Sequence, residues 1–309
     1  MTPRVDGIVS HWDVDGIASA ALVAHYFGIP LENIRLSSTS RIHVFAKELL
    51  KSGINHLFIL DLNPNFTVAN KIVSGRGKKK YGLTWVDHHQ WHSEALELVK
   101  AQPNCRVIIN PNAACTALLV AEKLLGDVHL KDAHRLLVEI AIDDDTFSDK
   151  LQLTRRWRIL LRWGDWSLRY RVLEDWIDGI VWPEWAEIEY ERVSKEYEKL
   201  LAKALDTIEI SSVGGIRVLF AYPDEKVHPG DLQRTIESST GQQADMYVFI
   251  YDKGVSFRSR VLDVSLVAKM LGGGGHSRAA GARVEGEKES IKNSILKAVW
   301  RVLGLSGKR

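Results

Sequence analysis

The sequence predicts an α/β protein with an N-terminal doubly wound parallel sheet and a smaller C-terminal α/β domain. Three observations predict this class. Apolar, strand-like runs alternate with helix-like segments through the first half of the 309 residues. Acidic and histidine residues follow several of these runs, and a stretch rich in Glu and Lys precedes a second series of strands. Alternation of strands and helices is typical of parallel sheets.

The predicted strands of the first half are short apolar runs, and helices fill the gaps between them. These strands are residues 6–10, 34–37, 56–62, 83–86 and 106–110, and the helices are residues 16–27, 42–52, 64–74 and 114–125. In the second half we expect strands at 216–221, 246–251 and 254–260 and helices at 184–205 and 264–271. Ligands of open parallel sheets bind beyond the carboxyl ends of the strands, so the residues that follow these runs are the candidates for a site.

Three parts are predicted along the chain. Residues 1–190 are expected to form one domain with a tryptophan-rich helical part at 151–185, residues 191–207 a helical connector, and residues 208–309 a second domain. The hydrophobic content of 45% and charged content of 26% are those of an ordinary globular protein, and no apolar run is long enough to span a membrane. The two cysteines lack the spacing of a metal site, which favours a cytoplasmic protein. The net charge of +2 does not by itself indicate a nucleic-acid partner.

The first candidate site follows the first predicted strand and reads His-Trp-Asp-Val-Asp-Gly over residues 11–16. Alternate positions at a strand end can direct their side chains to the same side, so His11, Asp13 and Asp15 are candidate metal ligands. In the alternative interpretation, Asp15 only caps the helix that begins at Gly16. That alternative leaves His11 and Asp13 unexplained.

Two further strand ends carry candidate residues. Asp61 precedes a turn sequence, where it is either a helix cap or a carboxylate shared by two ions. In Asp87-His88-His89, one imidazole can bind metal while its neighbour faces the substrate. A histidine that titrates near neutral pH can position or protonate a leaving oxygen.

A run of three aspartates supplies one more candidate ligand. Asp143, Asp144 and Asp145 cannot all bind at one site, because adjacent like charges repel. We choose Asp145 as the ligand and expect the other two to be helix caps or outer groups. Carboxylates mixed with imidazoles suit Mn²⁺, or Mg²⁺, better than a closed thiolate zinc site does. Two such clusters suggest a pair of divalent ions for phosphoryl displacement.

The glycine run Gly272-Gly273-Gly274-Gly275-His276 is the main feature of the C-terminal part. Backbone N–H groups exposed by glycines can bind phosphate oxygens, whereas a flexible linker is the plainer alternative. Upstream, Arg258 and Arg260 share one face of a predicted strand and can clamp a phosphate. The predicted substrate-binding residues are Arg258, Ser259, Arg260, Gly273, Gly274, Gly275 and His276.

Six of the ten tryptophans lie between residues 157 and 185, among several arginines. Such a segment can form a stacking surface for unpaired bases. The alternative, that these tryptophans are the core of a helical subdomain, is favoured because tryptophan is mostly buried.

These motifs, in this order, resemble those of DHH-family phosphoesterases with a DHHA1 domain, a group that includes RecJ-type exonucleases and nanoRNases. The resemblance rests on His-x-Asp-x-Asp-Gly at 11–16, the strand end at Asp61, Asp-His-His at 87–89, Asp145-Thr146, Phe257-Arg258-Ser259 and the glycine run. It implies a DHH domain over residues 1–190 and a DHHA1 domain over 208–309. It also implies two ions, one held by His11, Asp13 and Asp61 and the other by Asp15, Asp61, His88 and Asp145. Asp87 and His89 are then the catalytic residues, with His89 orienting the phosphate or assisting the leaving group, and the glycine–histidine loop grips the nucleotide.

The resemblance leads us to expect a Mn²⁺-dependent, single-strand-specific 3′→5′ exonuclease that releases nucleotides from single-stranded DNA or short RNA. The alternative is a small-nucleotide phosphoesterase that acts on 3′-phosphoadenosine 5′-phosphate or on cyclic dinucleotides. A third hypothesis is a catalytically silent scaffold of a DNA-repair or replication complex. The layout is also similar to that of an archaeal Hef-associated exonuclease, so a Hef-like helicase–nuclease partner is expected by analogy alone. Strand polarity, the choice of DNA or RNA, and the oligomeric state are left open.

Overall fold

The structure, a computed structural model, describes residues 5–74, 81–126 and 128–304. Two compact units make up the chain, Met1–Tyr190 and Glu191–Arg309. The division between them falls inside one long helix, Glu184–Leu205. Within the described ranges, no helix has both the length and the apolar character needed to cross a membrane.

The first unit is built on a five-stranded parallel sheet. Its strands are β1 (Asp6–His11), β2 (Ile34–Ser37), β3 (His56–Leu60), β4 (Gly82–Asp87) and β5 (Cys105–Ile109), in the order β2-β1-β3-β4-β5. Every neighbouring pair is parallel. The predicted α/β class with a parallel N-terminal sheet is therefore confirmed.

The helices of this part of the chain are α1 (Val14–Phe27), α2 (Ile42–Lys51), α3 (Phe66–Ser74), α4 (Ser93–Lys100), α5 (Thr116–Leu119), α6 (Asp132–Asp145), α7 (Gln152–Trp163), α8 (Trp166–Ile177) and α9 (Glu184–Leu205). Helices α1–α5 cover both faces of the sheet, and α6 and α8 pack on α1. Residues of α2, α3 and α4 share one buried core with strand residues such as Leu57, Ile59 and Trp85, while α1 packs on β1 and β3 and α5 on β4. The strands are apolar on both faces because each face is covered.

One predicted helix differs in its details. The helix expected at 114–125 is the short helix α5 followed by a π-helical turn, Val120–Leu125. The three aspartates at 143–145, for which no element was predicted, lie in the last turn of helix α6.

The tryptophan-rich segment is mainly a helical core, as favoured from the sequence. Trp157 and Trp176 are fully buried, and the Trp157 ring makes edge contacts with Trp176 and Trp182 at centroid distances of 5.3 and 4.7 Å. Trp166 is the exception, because 47% of it is exposed at the start of α8.

The second unit contains a six-stranded mixed sheet. Its strands are β6 (Glu209–Val213), β7 (Ile216–Ala221), β8 (Met246–Tyr251), β9 (Gly254–Ser259), β10 (Gly274–Gly275) and β11 (Ala279–Ala282), in the order β10-β11-β9-β8-β7-β6. Only β7 and β8 pair in parallel, and the helix between them is α10 (Pro229–Thr240). Helices α11 (Val264–Met270) and α12 (Lys288–Val302) bury their apolar side chains in the core of this unit.

Candidate metal centre and active site

The candidate site lies where the strand order of the parallel sheet reverses. Strand β1 lies between β2 and β3, so the connections that leave β1 and β3 diverge and open a crevice at their carboxyl ends. His11 is the last residue of β1, Asp61 follows β3 directly, and Asp87 is the last residue of β4. The topology alone therefore brings these three positions to one edge.

The turn between β1 and α1 fixes the first ligand candidates. Asp13 caps α1, since its side chain accepts the Gly16 N–H at 3.0 Å. The Ser10 hydroxyl donates to the Gly16 carbonyl at 2.6 Å, and a Cβ at Gly16 would lie 2.4 Å from the His11 carbonyl oxygen. Only glycine permits this close turn. In this turn, the Nδ1 atom of His11 lies 2.7 Å from Oδ2 of Asp13.

Asp15 does not cap its own helix, so the capping alternative considered for it is wrong. Its side chain accepts the N–H groups of Thr116 and Ala117, both at 2.7 Å, at the start of α5. The N-terminus of a helix favours a negative charge, and Asp15 is only 1% exposed. The first turn of α5 therefore holds this carboxylate in place, a role that the sequence analysis did not assign to Thr116 or Ala117.

Asp61 occupies the centre of the cluster. Its backbone has a φ of 56°, a left-handed conformation that aspartate tolerates better than most residues but that is uncommon outside functional turns. The residue is 3% exposed, and its side chain accepts the Thr116 hydroxyl at 3.1 Å. Burial, followed by repulsion from Asp15 and Asp13, raises the pKa of Asp61 well above its usual range.

Asp61 belongs to three separate groups of potential metal-ligating atoms. It lies with His11 and Asp13 in one group, with Asp15 and His88 in a second, and with Asp87 and His89 in a third; the donor atoms of each group lie within 4.8 Å of one another. One carboxylate therefore connects the two ligand sets that the resemblance implies.

The Asp-His-His segment separates the two histidines by role. His88 is 5% exposed, and its Nε2 lies 3.7 Å from Asp61 Oδ1 and 3.3 Å from Asp145 Oδ2. His89 Nδ1 instead lies 2.7 Å from Asp87 Oδ1. Both imidazoles thus lie near Asp61, but His88 approaches Asp145 whereas His89 makes its shortest contact with Asp87.

Asp87 is held from two sides. It is fully buried, and its second oxygen accepts the Trp91 indole N–H at 2.6 Å. Burial raises the pKa of Asp87, but the His89 charge and the hydrogen bonds outweigh it and leave the pKa below its usual value. Burial lowers the pKa of His89, and the Asp87 carboxylate reverses this to a net increase. Trp91 was assigned no role from the sequence, and an indole four residues after an aspartate gives no signal of one.

The three consecutive aspartates have three different environments. Asp143 accepts the Ser148 hydroxyl and the N–H groups of residues 150 and 151, and these bonds lower its pKa in spite of burial. Asp144 pairs with Arg158 Nε at 2.6 Å. Asp145 alone approaches His88, and burial and Asp15 raise its pKa well above its usual range. This placement supports the choice of Asp145 as the ligand.

The donor set suits hard or borderline divalent cations. It consists of carboxylate oxygens and imidazole nitrogens, which Mn²⁺ and Mg²⁺ accept. The nearest thiol, that of Cys115, is buried, caps α5 through the Leu118 N–H, and has a raised pKa. Burial and, after it, repulsion from neighbouring aspartates raise the pKa of Asp61 and of Asp145. Bound cations would favour the ionised form of both carboxylates.

The predicted substrate residues on β9 lie in the second unit. Arg258 is on the less buried side of the strand, where its Nη1 donates to Ser256 Oγ at 3.0 Å. Arg260 follows the strand and pairs with Glu237 at 3.0 Å. Ser259 is 3% exposed, and its hydroxyl bonds to the Asp245 carbonyl and to the N–H groups of residues 261 and 262. These bonds argue against a direct substrate contact by Ser259.

Two glycines of the run form one strand of an edge hairpin, so the flexible-linker alternative is wrong. Gly274 and Gly275 pair antiparallel with Gly281 and Ala280, and the His276 N–H donates to the Ala279 carbonyl at 2.8 Å. The missing side chains have a packing reason at two positions. A Cβ added at Gly273 would lie 2.1 Å from the Gly281 carbonyl oxygen, and one added at Gly275 would lie 2.6 Å from the Ala280 Cα.

Gly274 differs from its two neighbours. A Cβ there would meet nothing within 4 Å in the described structure. The glycine at this position is therefore not explained by packing within the domain, and it leaves room for a ligand to approach the main chain.

Comparisons with known proteins agree with this architecture. Residues 215–304 match the DHHA1 domain family, and no curated protein matches the chain. Among solved structures the fold is similar to that of RecJ from Thermus thermophilus in complex with Mn²⁺ (TM-score 0.62, 14% identity, 96% of this chain and 52% of RecJ). It is also similar to that of an exopolyphosphatase-related protein from Bacteroides fragilis (TM-score 0.58, 14% identity, 98% and 93%). A third similar structure is the pGpG-specific phosphodiesterase PggH from Vibrio cholerae (TM-score 0.54, 15% identity, 97% and 99%).

The chain spans about half the length of RecJ and nearly the full length of the other two proteins. At these identities the similarity establishes the fold. The DHHA1 match covers residues 215–304. The motifs His-x-Asp-x-Asp-Gly and Asp-His-His, which carry the resemblance to DHH-family phosphoesterases, lie at the ends of β1 and β4.

Proposed function

We propose that this protein is a divalent-metal-dependent phosphodiesterase that removes nucleotides from the 3′ end of single-stranded DNA or short RNA, with Mn²⁺ as its preferred ion. The observation that carries the proposal is the position of Asp61, whose carboxylate is common to two groups of potential ligands at the switch point of the sheet. A shared carboxylate between two donor sets is the arrangement expected of a pair of ions acting on one phosphate.

The proposed ligand sets are those implied by the resemblance. His11, Asp13 and Asp61 would hold one ion, and Asp15, Asp61, His88 and Asp145 would hold the other. Bound divalent ions supply positive charge to a phosphate and favour the ionisation of water at neutral pH. This positive charge would favour the ionised carboxylates of Asp61 and Asp145, whose pKa values are raised by burial and then by repulsion from neighbouring aspartates.

His89 is the proposed phosphate-orienting residue, and it is positioned by Asp87. The bond between His89 Nδ1 and Asp87 Oδ1 fixes the imidazole plane, and the Trp91 bond fixes Asp87. The Nε2 atom of His89 would then contact a phosphate oxygen or give a proton to the leaving oxygen. The raised pKa of His89 suits a proton donor near neutral pH.

Two of the structural neighbours support different details of the proposal. RecJ was solved with Mn²⁺, which supports the choice of ion. PggH is a pGpG-specific phosphodiesterase, and the fold similarity covers 99% of it, which supports the small-nucleotide alternative. The silent-scaffold hypothesis is less favoured because all six proposed ligand positions carry donor side chains. A cytoplasmic location and a Hef-like partner stay predictions from the sequence.

The experiment is a hydrolysis assay with metal-stripped protein, with and without Mn²⁺. The substrates are single-stranded DNA and RNA of about twenty nucleotides, longer than typical ~4–16-nucleotide binding sites, each labelled at either end. 3′-Phosphoadenosine 5′-phosphate and a cyclic dinucleotide are assayed in parallel. We expect a ladder that shortens from the 3′ end only when Mn²⁺ is present. Intact strands with turnover of the small nucleotides would replace the exonuclease by the alternative, and no turnover of any substrate would contradict both.

A further inference from the structure

Two tryptophans and one arginine form a continuous set of contacts beside the metal-ligand candidates of the first unit. The His11 and Trp12 ring centroids lie 5.4 Å apart. The Arg169 guanidinium carbon lies 4.3 Å from the Trp12 ring centroid and 4.9 Å from that of Trp166. We call Trp12, Arg169 and Trp166 the tryptophan–arginine platform. It extends from a ligand candidate at the sheet edge to an exposed indole.

The platform is held in place by main-chain contacts. Arg169 donates through both Nε and Nη2 to the Leu161 carbonyl, at 3.2 and 3.0 Å. Trp166 is the first residue of α8, whose first turn is fixed by the Asp165 cap on the Leu168 N–H. The guanidinium and the backbone that carries Trp166 are thus held in place before any ligand binds, which lowers the entropy lost on binding.

Core packing does not account for Trp166 as it does for its neighbours. Trp157 and Trp176 are fully buried, and the indole N–H groups of Trp182 and Trp185 donate to Glu187 and Asp175 at 2.7 Å. Trp166 is 47% exposed. A half-exposed indole beside an arginine, next to an acidic metal-ligating cluster, has the chemistry that binds unpaired bases by stacking and their phosphates by charge.

We propose that the tryptophan–arginine platform stacks a base of single-stranded nucleic acid whose terminal phosphodiester lies at the Asp61 cluster. This inference rests on the proposed function and deepens it, since it names the substrate as a strand and identifies a site for a base away from the reacting phosphate. A base stacked on an indole is held whatever its sequence, because every base has an aromatic face.

The test is the binding of fluorescein-labelled single-stranded DNA by the whole protein in EDTA, measured by fluorescence anisotropy. Trp166→Ala and Arg169→Ala are each expected to weaken binding about tenfold, within the range measured for loss of one stacked base. Two matched controls are expected to change it by less than about twofold. Arg171→Ala removes another arginine of α8, the helix of Arg169, whose guanidinium lies over the Trp185 ring. Trp300→Ala removes an indole that is 39% exposed in the second unit.

A second arm locates the stacked base. An abasic nucleotide is placed at successive positions from the 3′ end, and one position is expected to weaken binding by the wild type but to have no further effect in Trp166→Ala. Any of three results would refute the proposed base-stacking role of the platform. Trp166→Ala could bind the strand as tightly as the wild type, the controls could lose as much affinity as Trp166→Ala, or the wild type could bind no oligonucleotide. If binding depends on the abasic position as expected but no Mn²⁺-dependent hydrolysis occurs, the proposed function is refuted and the base-stacking role of the platform is retained.

Discussion

Asp61→Asn is predicted to make the metal-free protein more stable while reducing its stabilisation by metal to less than half of that of the wild type. Asp61 is buried among Asp13, Asp15 and Asp145, and this environment raises its pKa well above the usual range. The amide keeps an oxygen that can accept the Thr116 hydroxyl but carries no charge. The substitution therefore removes repulsion while the Thr116 hydroxyl keeps its acceptor, and the new amide N–H groups lie near the carboxylate oxygens of Asp13 and Asp15, which can accept them.

The magnitude follows from the distances in the cluster. Donor atoms of Asp61 lie within 4.8 Å of those of Asp13 and Asp15, and one like-charge pair at that distance costs about 3.5 kcal/mol at an effective dielectric constant of about 20. The nearby histidines and partial protonation of the carboxylates offset much of this. We expect a net gain of about 1–3 kcal/mol in the free energy of unfolding, or a rise in Tm of about 3–8 °C.

The assay is thermal unfolding in EDTA and again with Mn²⁺. With Mn²⁺ at about a hundred times its Kd, the wild type should gain about 2.7 kcal/mol for each ion bound, and Asp61→Asn should gain less than half of the wild-type total. Asp143→Asn is the matched control. That carboxylate accepts three hydrogen bonds, so the same substitution should lower the stability by about 1–3 kcal/mol. A lower Tm of Asp61→Asn in EDTA, or an undiminished Mn²⁺ response, would refute the reasoning.

Three further predictions concern groups around the site and in the helical part. Trp91→Phe removes the indole bond to Asp87; steady-state kinetics should show a fall in kcat of about tenfold, as expected for loss of about 1.5 kcal/mol from a charged hydrogen bond, with little change in KM. Arg158→Met leaves Asp144 without the guanidinium that pairs with it at 2.6 Å, and denaturant unfolding should show a loss of about 3–5 kcal/mol. Burial and a neighbouring histidine lower the pKa of His134 from 6.5, so its neutral form contributes fully above about pH 6.5 and this contribution is lost as the pH falls towards the folded pKa. The Tm of the wild type should thus fall more between about pH 7.5 and pH 5.5 than that of His134→Gln.

Each of these has a contrary outcome. Unchanged kcat in Trp91→Phe would mean that Asp87 is oriented without the indole. A stability of Arg158→Met within about 1 kcal/mol of the wild type would mean that Asp144 and Asp149 are solvated rather than dependent on the guanidinium. Parallel pH profiles for the wild type and His134→Gln would show that this histidine has the same pKa in the folded and unfolded chains.

The sequence predicts the parallel sheet well because its signals are local. Strands β1, β3 and β4 end at His11, Leu60 and Asp87, within a few residues of the strand ends predicted from the apolar runs. The alternation of strands with helices restricts the topology to a few arrangements. The donor residues follow these strands, so their convergence at one sheet edge could be expected before the structure was known.

Contacts across long stretches of sequence could not be predicted in the same way. Asp15 is held by the N–H groups of Thr116 and Ala117, about a hundred positions away along the chain, and nothing in the local sequence of either segment indicates this pairing. The roles of the three consecutive aspartates also depend on distant partners, such as Arg158 for Asp144. The packing of the hairpin likewise decides which positions of the run at 272–275 have no room for a side chain, and this packing cannot be deduced from four identical residues.

The central claim is that Asp61 is shared between two divalent ions, and the most direct test is an anomalous-difference map from crystals soaked in Mn²⁺. We predict two peaks per chain in the first unit, one near His11 and the other near His88, with Asp61 beside both. Peaks elsewhere, or a single peak that Asp61 does not contact, would contradict the account.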